Sequence, residues 1–109
     1  MKKSMIVAAA ICAMVAGTAS AQDDSKALYT KSCQKCHGED GKGQTTIGKR
    51  NGCKDYTDAK VQDALKDDVA FKSIKEGLKK DDKTLMQPVT DLTDDQIKGV
   101  VKYMRTFKK

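Results

Sequence analysis

Cys33-Gln34-Lys35-Cys36-His37 decides how this chain is read. Two thiols separated by two residues, with an imidazole next in line, match the attachment site of a covalently bound c-type haem. Each thiol can form a thioether with one vinyl group of a porphyrin, and His37 can turn a ring nitrogen onto the iron. The rival readings are a redox-active dithiol, half of a zinc site, and coincidence. A zinc site needs further ligands, and His37 is the only histidine among the 109 residues. A redox dithiol belongs in a βαβ setting, and no such alternation of patterns surrounds Cys33. The context favours haem.

Toward the N-terminus, Lys2 and Lys3 are followed by an apolar run from Met5 to Ala16 and by the small residues Ala19-Ser20-Ala21. This order reads as an export signal over residues 1–21, cleaved to leave Gln22 first. The apolar run falls short of the ~20 residues that a spanning helix needs, and bulky Ile11 before Cys12 argues against a lipoprotein. A periplasmic location with no stable membrane span after cleavage is therefore expected, and it fits haem attachment outside the cytoplasm.

Removing 21 of 109 residues leaves 88, the length of one domain, residues 22–109. Without Lys2 and Lys3, 19 of the 21 lysines and arginines remain against 15 acids, a mild excess of positive charge. Only 27 of the 88 residues are apolar, which is lean for a core of this size. Such a chain either stays largely disordered or folds around an apolar group that it does not encode. A haem supplies that group, so folding and cofactor binding are expected to be coupled. A Cys33→Ser/Cys36→Ser variant that stays compact and melts cooperatively without haem would contradict this.

The remaining patterns are helical, with no convincing strand, and predict an all-α fold of four to five short helices. Asp23 and Asp24 can cap a first helix over 25–35 that buries Leu28 and Tyr29. Gly38, Gly41, Gly43 and Gly48 mark a loop able to wrap a ligand closely. Thr57 or Asp58 can cap a helix carrying Val61, Ala64 and Leu65. Asp67 and Asp68 begin another, with Ala70, Phe71, Ile74 and Leu78 on one face and Gly77 weakening its last turn. Thr93-Asp94-Asp95-Gln96 is a capping box. Ile97, Val100, Val101, Met104 and Phe107 follow at helical spacing, predicting a helix over 94–107.

Taken together, the chain resembles a class I cytochrome c, small and monohaem. The resemblance covers essentially all of residues 22–109. It rests on Tyr29 four residues before Cys33, on Cys33, Cys36, His37 and Gly38, on the loop Leu85-Met86-Gln87-Pro88, and on the closing helix with Val100 and Tyr103. It implies an all-α fold around one covalent haem c, with the first and last helices crossing closely. Three features depart from the family pattern. Ser25 or Ala27 stands at the crossing, where glycine is usual. Pro88 is the only proline, so His37 lacks the usual proline carbonyl, and a carbonyl near Ile47 or Gly48 is the expected substitute. Cys53 has no counterpart role.

The sixth iron ligand separates electron transfer from catalysis. A bis-histidine haem is excluded by composition. After loss of the signal, only Met86 and Met104 can offer a thioether, and Met104 belongs to the apolar stripe of the last helix. Met86 lies in an extended segment before Pro88, and the resemblance points to it as the axial partner of His37. A packing role for Met86, Lys83 as ligand, or an open site are the alternatives. With His37 and Met86 as axial iron ligands the protein is a single-electron carrier and not an enzyme. With a pentacoordinate haem it would act on peroxide or a small ligand, although no second histidine is available and Arg50 is the only arginine well removed from the last helix. A third reading is a haem module of a larger redox complex.

Redox partner proteins are the expected partners of a monomer. Lys35, Lys42 and Lys83 can form a positive rim toward acidic docking surfaces, or belong to an ordinary solvated surface. Nucleic acid is not expected, because no basic run stands clear of acids and no aromatic platform accompanies one. Cys53, the odd thiol, reads either as a reactive or intermolecular cysteine or as a small buried residue.

Overall fold

The computed structural model describes residues 19–109, with side chains from residue 24 onward. The expected signal, residues 1–21, thus lies outside the described residues except for the backbone of its last three. Among the described residues the order is α1 (Ala19–Ser32), α2 (Gln34–His37), α3 (Thr46–Asn51), α4 (Ala59–Ala64), α5 (Asp67–Glu76), β1 (Leu78–Lys80), β2 (Lys83–Met86) and α6 (Asp94–Arg105). No helix among them is long and apolar enough to cross a membrane.

The last helix starts where its sequence predicts and ends at Arg105, two residues short of the expected Phe107. The Gln96 amide donates to Thr93 Oγ1 at 3.1 Å and the Thr93 amide donates to Gln96 Oε1 at 2.8 Å, closing both arms of the capping box. Ile97, Val100, Val101 and Met104 are buried along one face. They meet Tyr29 and Cys33 of the first helical region and Ala70 and Ile74 of α5 in a single core. Tyr29, Tyr103 and Phe107 pack as a triangle of rings with centroids 5.2–5.4 Å apart, a geometry that adds to their area burial.

The close crossing joins α1 to α6. A Cβ built on Gly99 would lie 2.5 Å from Ser25 Oγ, so the glycine expected at this contact comes from the last helix. Ser25 is buried opposite it and Ala27 is exposed, which selects Ser25 from the two candidates.

Several boundaries differ from expectation. Helix α1 runs over Ala19–Ser32, so Asp23 and Asp24 lie within it and not ahead of its first turn; Ala19 and Ala21 are strong helix formers. Asp58, not Thr57, caps α4 by accepting from the Lys60 amide at 2.8 Å. Gln62 is the buried residue of α4, while Val61 and Leu65 are half-buried and Ala64 is exposed. The glycine-marked loop contains an additional helix, α3, capped by the Thr45 hydroxyl and closed by left-handed Gly52.

The expectation of no strand fails at residues 78–86. Gly77, at φ 81°, ends α5, and Leu78 joins a two-stranded antiparallel ribbon as an exposed residue instead of continuing the helix face. Asp81 and Asp82, at φ 51° and 66°, form the turn. Two successive left-handed residues give the twist that a two-residue hairpin requires. The fold remains all-α in class, with this ribbon as its only sheet among the described residues.

Candidate functional site

The cysteine–histidine motif is one helical turn. The amides of Cys36 and His37 both donate to the Cys33 carbonyl, at 3.2 and 3.0 Å. Positions i, i+3 and i+4 share a helix face, so Cys33, Cys36 and His37 are presented together. Tyr29 stabilises the exit from this turn, its hydroxyl donating to the Gly38 carbonyl at 2.6 Å. Burial of that phenol raises its pKa well above the usual value. The Gly43 amide donates to the His37 carbonyl at 2.8 Å, and the Thr45 hydroxyl donates to that of Cys36 at 2.7 Å. The start of α3 is thereby tied to the motif.

Burial pushes the Cys33 thiol up to about 11, with the neighbouring Cys36 adding to the shift. Burial also lowers the pKa of His37, keeping the ring neutral near pH 7 with a lone pair free. His37 Nδ1 is the one buried side-chain nitrogen or oxygen among the described residues that lacks a hydrogen-bond partner. The expected bond to a carbonyl near Ile47 or Gly48 is not made. Both residues lie in α3, and the Gly48 carbonyl is already taken by the amides of Gly52 and Cys53. Tyr56 flanks the imidazole, ring centroids 5.6 Å apart, and burial raises its hydroxyl pKa as well.

Met86 is the last residue of β2, half-buried and packed against the core, in register with Leu78. The segment after it is held by the Val89 amide donating to Ile74 O at 2.8 Å. The Asn51 side-chain amide reaches across 34 positions to the Leu85 carbonyl at 3.1 Å. Met104 is buried in the core, 8% exposed, as its place on the apolar stripe of α6 predicts. Lys35 and Lys83 are exposed and Lys42 is half-buried. Cys53 is a free, half-buried thiol whose pKa burial raises.

The donor set fits a covalent haem. Two free thiols and a neutral imidazole share one helix face, a thioether is available on a separate element, and apolar side chains such as Tyr56, Met86 and Val89 stay only half-buried against the core. Three contributors were not legible in advance. Asn51-Gly52 carries a helix-ending signal that would have revealed α3, but nothing local marks Asn51 as a donor to Leu85. Gln62 and Arg105, which lock α4 to α6, gave no sequence signal.

The model of the cytochrome c family matches residues 22–108. Among solved structures, the KustC0563 c-type cytochrome is similar at 33% identity, with a TM-score of 0.69, over 79% of this chain and 99% of the other. A tyrosine-to-phenylalanine variant of Kustc0563 is similar at 31% identity, with a TM-score of 0.67, over 78% of this chain and 99% of the other. No match is found among curated proteins.

Proposed function

Because the chain belongs to the cytochrome c family, we propose that it is a periplasmic carrier of single electrons whose haem iron is held axially by His37 and Met86. The family brings one covalently bound haem c, which Cys33 and Cys36 anchor through thioethers. The observation that carries the reading is the placement of His37: half-buried, with its Nδ1 unpartnered, and on one helix face with both thiols.

The haem supplies an iron that alternates between ferrous and ferric states, one electron at a time. Everything else is done by the chain. His37 offers an unprotonated nitrogen, and its position next to Cys36 in the sequence fixes its distance from the anchors. Met86 offers a soft thioether, which favours the reduced state more than a second imidazole would. Apolar surroundings act in the same direction by disfavouring added positive charge. Were His37 and Met86 both to hold the iron, no open site would remain for peroxide or small ligands, which favours a carrier over an enzyme.

The ferric absorption spectrum tests the assignment. Low-spin iron with a methionine-to-iron charge-transfer band, lost in Met86→Ala, is the expected result. High-spin iron in the wild type would overturn it in favour of a pentacoordinate, ligand-binding haem. Export through residues 1–21 is tested by the start of the secreted chain, expected at Gln22. Partner docking by an acidic surface is supported by exposed Lys35 and Lys83 and by Lys79 and Lys80 on the ribbon. Electron-transfer rates are then expected to fall with added salt, and salt-insensitive rates would remove the argument.

A further inference from the structure

We propose that Asn51 is the positioning residue for the methionine side of the site, a strut that holds the Met86 segment against the half of the molecule that carries His37. The proposal rests on the assignment of Met86 as axial ligand. Three sets of hydrogen bonds hold residues 85–89. The ribbon pairs Leu78 with Met86, and the Val89 amide donates to Ile74 O. Both come from the chain just upstream: they bind the segment to the ribbon and to the end of α5, and neither reaches α2 or α3. The third is the Asn51 amide on Leu85 O, one residue before Met86.

Among the described residues this is the one hydrogen bond that crosses from α3 to the ribbon. The other end of α3 is tied to the haem-attachment turn through Thr45 Oγ1 on Cys36 O, next to the Gly43 amide on His37 O. A continuous path therefore runs from the histidine turn through the six residues of α3 to the carbonyl beside the thioether. The ribbon itself adds little rigidity: it has two strands, a two-aspartate turn and an irregular register between Leu78 and Lys79. Any outward movement of the Met86 segment away from α3 breaks the Asn51–Leu85 bond.

The test is equilibrium binding of imidazole to the ferric holoprotein, which must displace the methionine. Asn51→Leu, similar in size but without a donor, is expected to bind imidazole roughly fivefold more tightly, the factor set by one half-buried neutral hydrogen bond. Asn51→Asp, which also lacks the donor, should do the same and covers a folding failure of the first variant. Thr93→Ala removes the α6 cap and weakens the fold globally, yet should leave imidazole affinity unchanged. Wild-type affinity in both Asn51 variants, or an equal rise in Thr93→Ala, overturns the strut. Met86→Ala separates the two claims, since it should bind imidazole far more tightly than either Asn51 variant. If it does not, the ligand assignment falls and the strut with it; if it does while Asn51 has no effect, only the strut falls.

Discussion

Replacing Arg105 by alanine is expected to destabilise the protein by about 3 kcal/mol, far more than its most visible partner suggests. That partner is Asp67, whose Oδ1 accepts from Arg105 Nη2 at 2.7 Å and from Nε at 3.1 Å. The Asp67 side chain is 79% exposed, and a pair so wet contributes at most about 0.5 kcal/mol. The larger contribution comes from neutral oxygens. Nη1 donates to the Gln62 carbonyl at 2.7 Å and to Gln62 Oε1 at 2.9 Å, while Nη2 also donates to the Leu65 carbonyl. Gln62 is 4% exposed, and its own amide donates to the carbonyls of Tyr56 and Met104 at 2.7 and 2.9 Å. Removing the guanidinium leaves three acceptors without this donor, at about 1 kcal/mol each. Arg105→Lys should recover only part, because one ammonium cannot reproduce the planar fork. Urea denaturation of the holoprotein, followed by circular dichroism at low and high salt, measures the loss. Equal costs for Arg105→Ala and Asp67→Ala, or a loss that disappears in high salt, would refute the reasoning by assigning the effect to charge.

Three further predictions concern the scaffold. Gly99→Ala places a Cβ 2.5 Å from Ser25 Oγ, so a net loss of about 1–2 kcal/mol is expected despite alanine's better helix propensity. Adding Ser25→Gly should raise the melting temperature of that variant, and failure to do so would place the strain elsewhere. Asp82→Gly relieves a left-handed aspartate in the ribbon turn and should stabilise by about 0.5–1 kcal/mol; a loss in urea titration would mean that the carboxylate itself supports the turn. Asp55 accepts from the Thr57 hydroxyl at 2.6 Å and amide at 2.9 Å, and these bonds lower its pKa. A depressed folded value makes its contribution complete above the unfolded carboxylate range and lost as pH falls through the folded one. The advantage of wild type over Asp55→Asn should therefore shrink on acidification, and a pH-independent gap would contradict the assignment.

The parts legible in the sequence are those encoded within one or two turns. The box at Thr93 and Gln96 is complete in four residues, and the stripe from Ile97 to Met104 needs only its own period, so α6 and its buried face follow directly. Cys33, Cys36 and His37 are equally local. The reading of Leu78 was wrong for a physical reason. Its spacing from Ile74 continues a helical face, but Gly77 takes a conformation that ends the helix, and the two aspartates that turn the ribbon carry none of the usual Asn-Gly signature. Gln62 was overlooked because a polar residue signals burial only when its partners are known. They are the carbonyls of Tyr56 and Met104, the latter 42 positions away.

By itself the sequence determined the turn that carries Cys33, Cys36 and His37, and the helix that closes the fold. Each depends on residue identity and short spacing, which the chain carries wherever it goes. Tertiary structure alone decided that Gly99 from the last helix meets Ser25, and that the imidazole Nδ1 stands without a carbonyl. It also decided that Asn51 reaches Leu85 and Arg105 reaches Gln62, across 34 and 43 residues. Contacts at such separations form only after other elements have closed the intervening chain, so no local pattern could announce them.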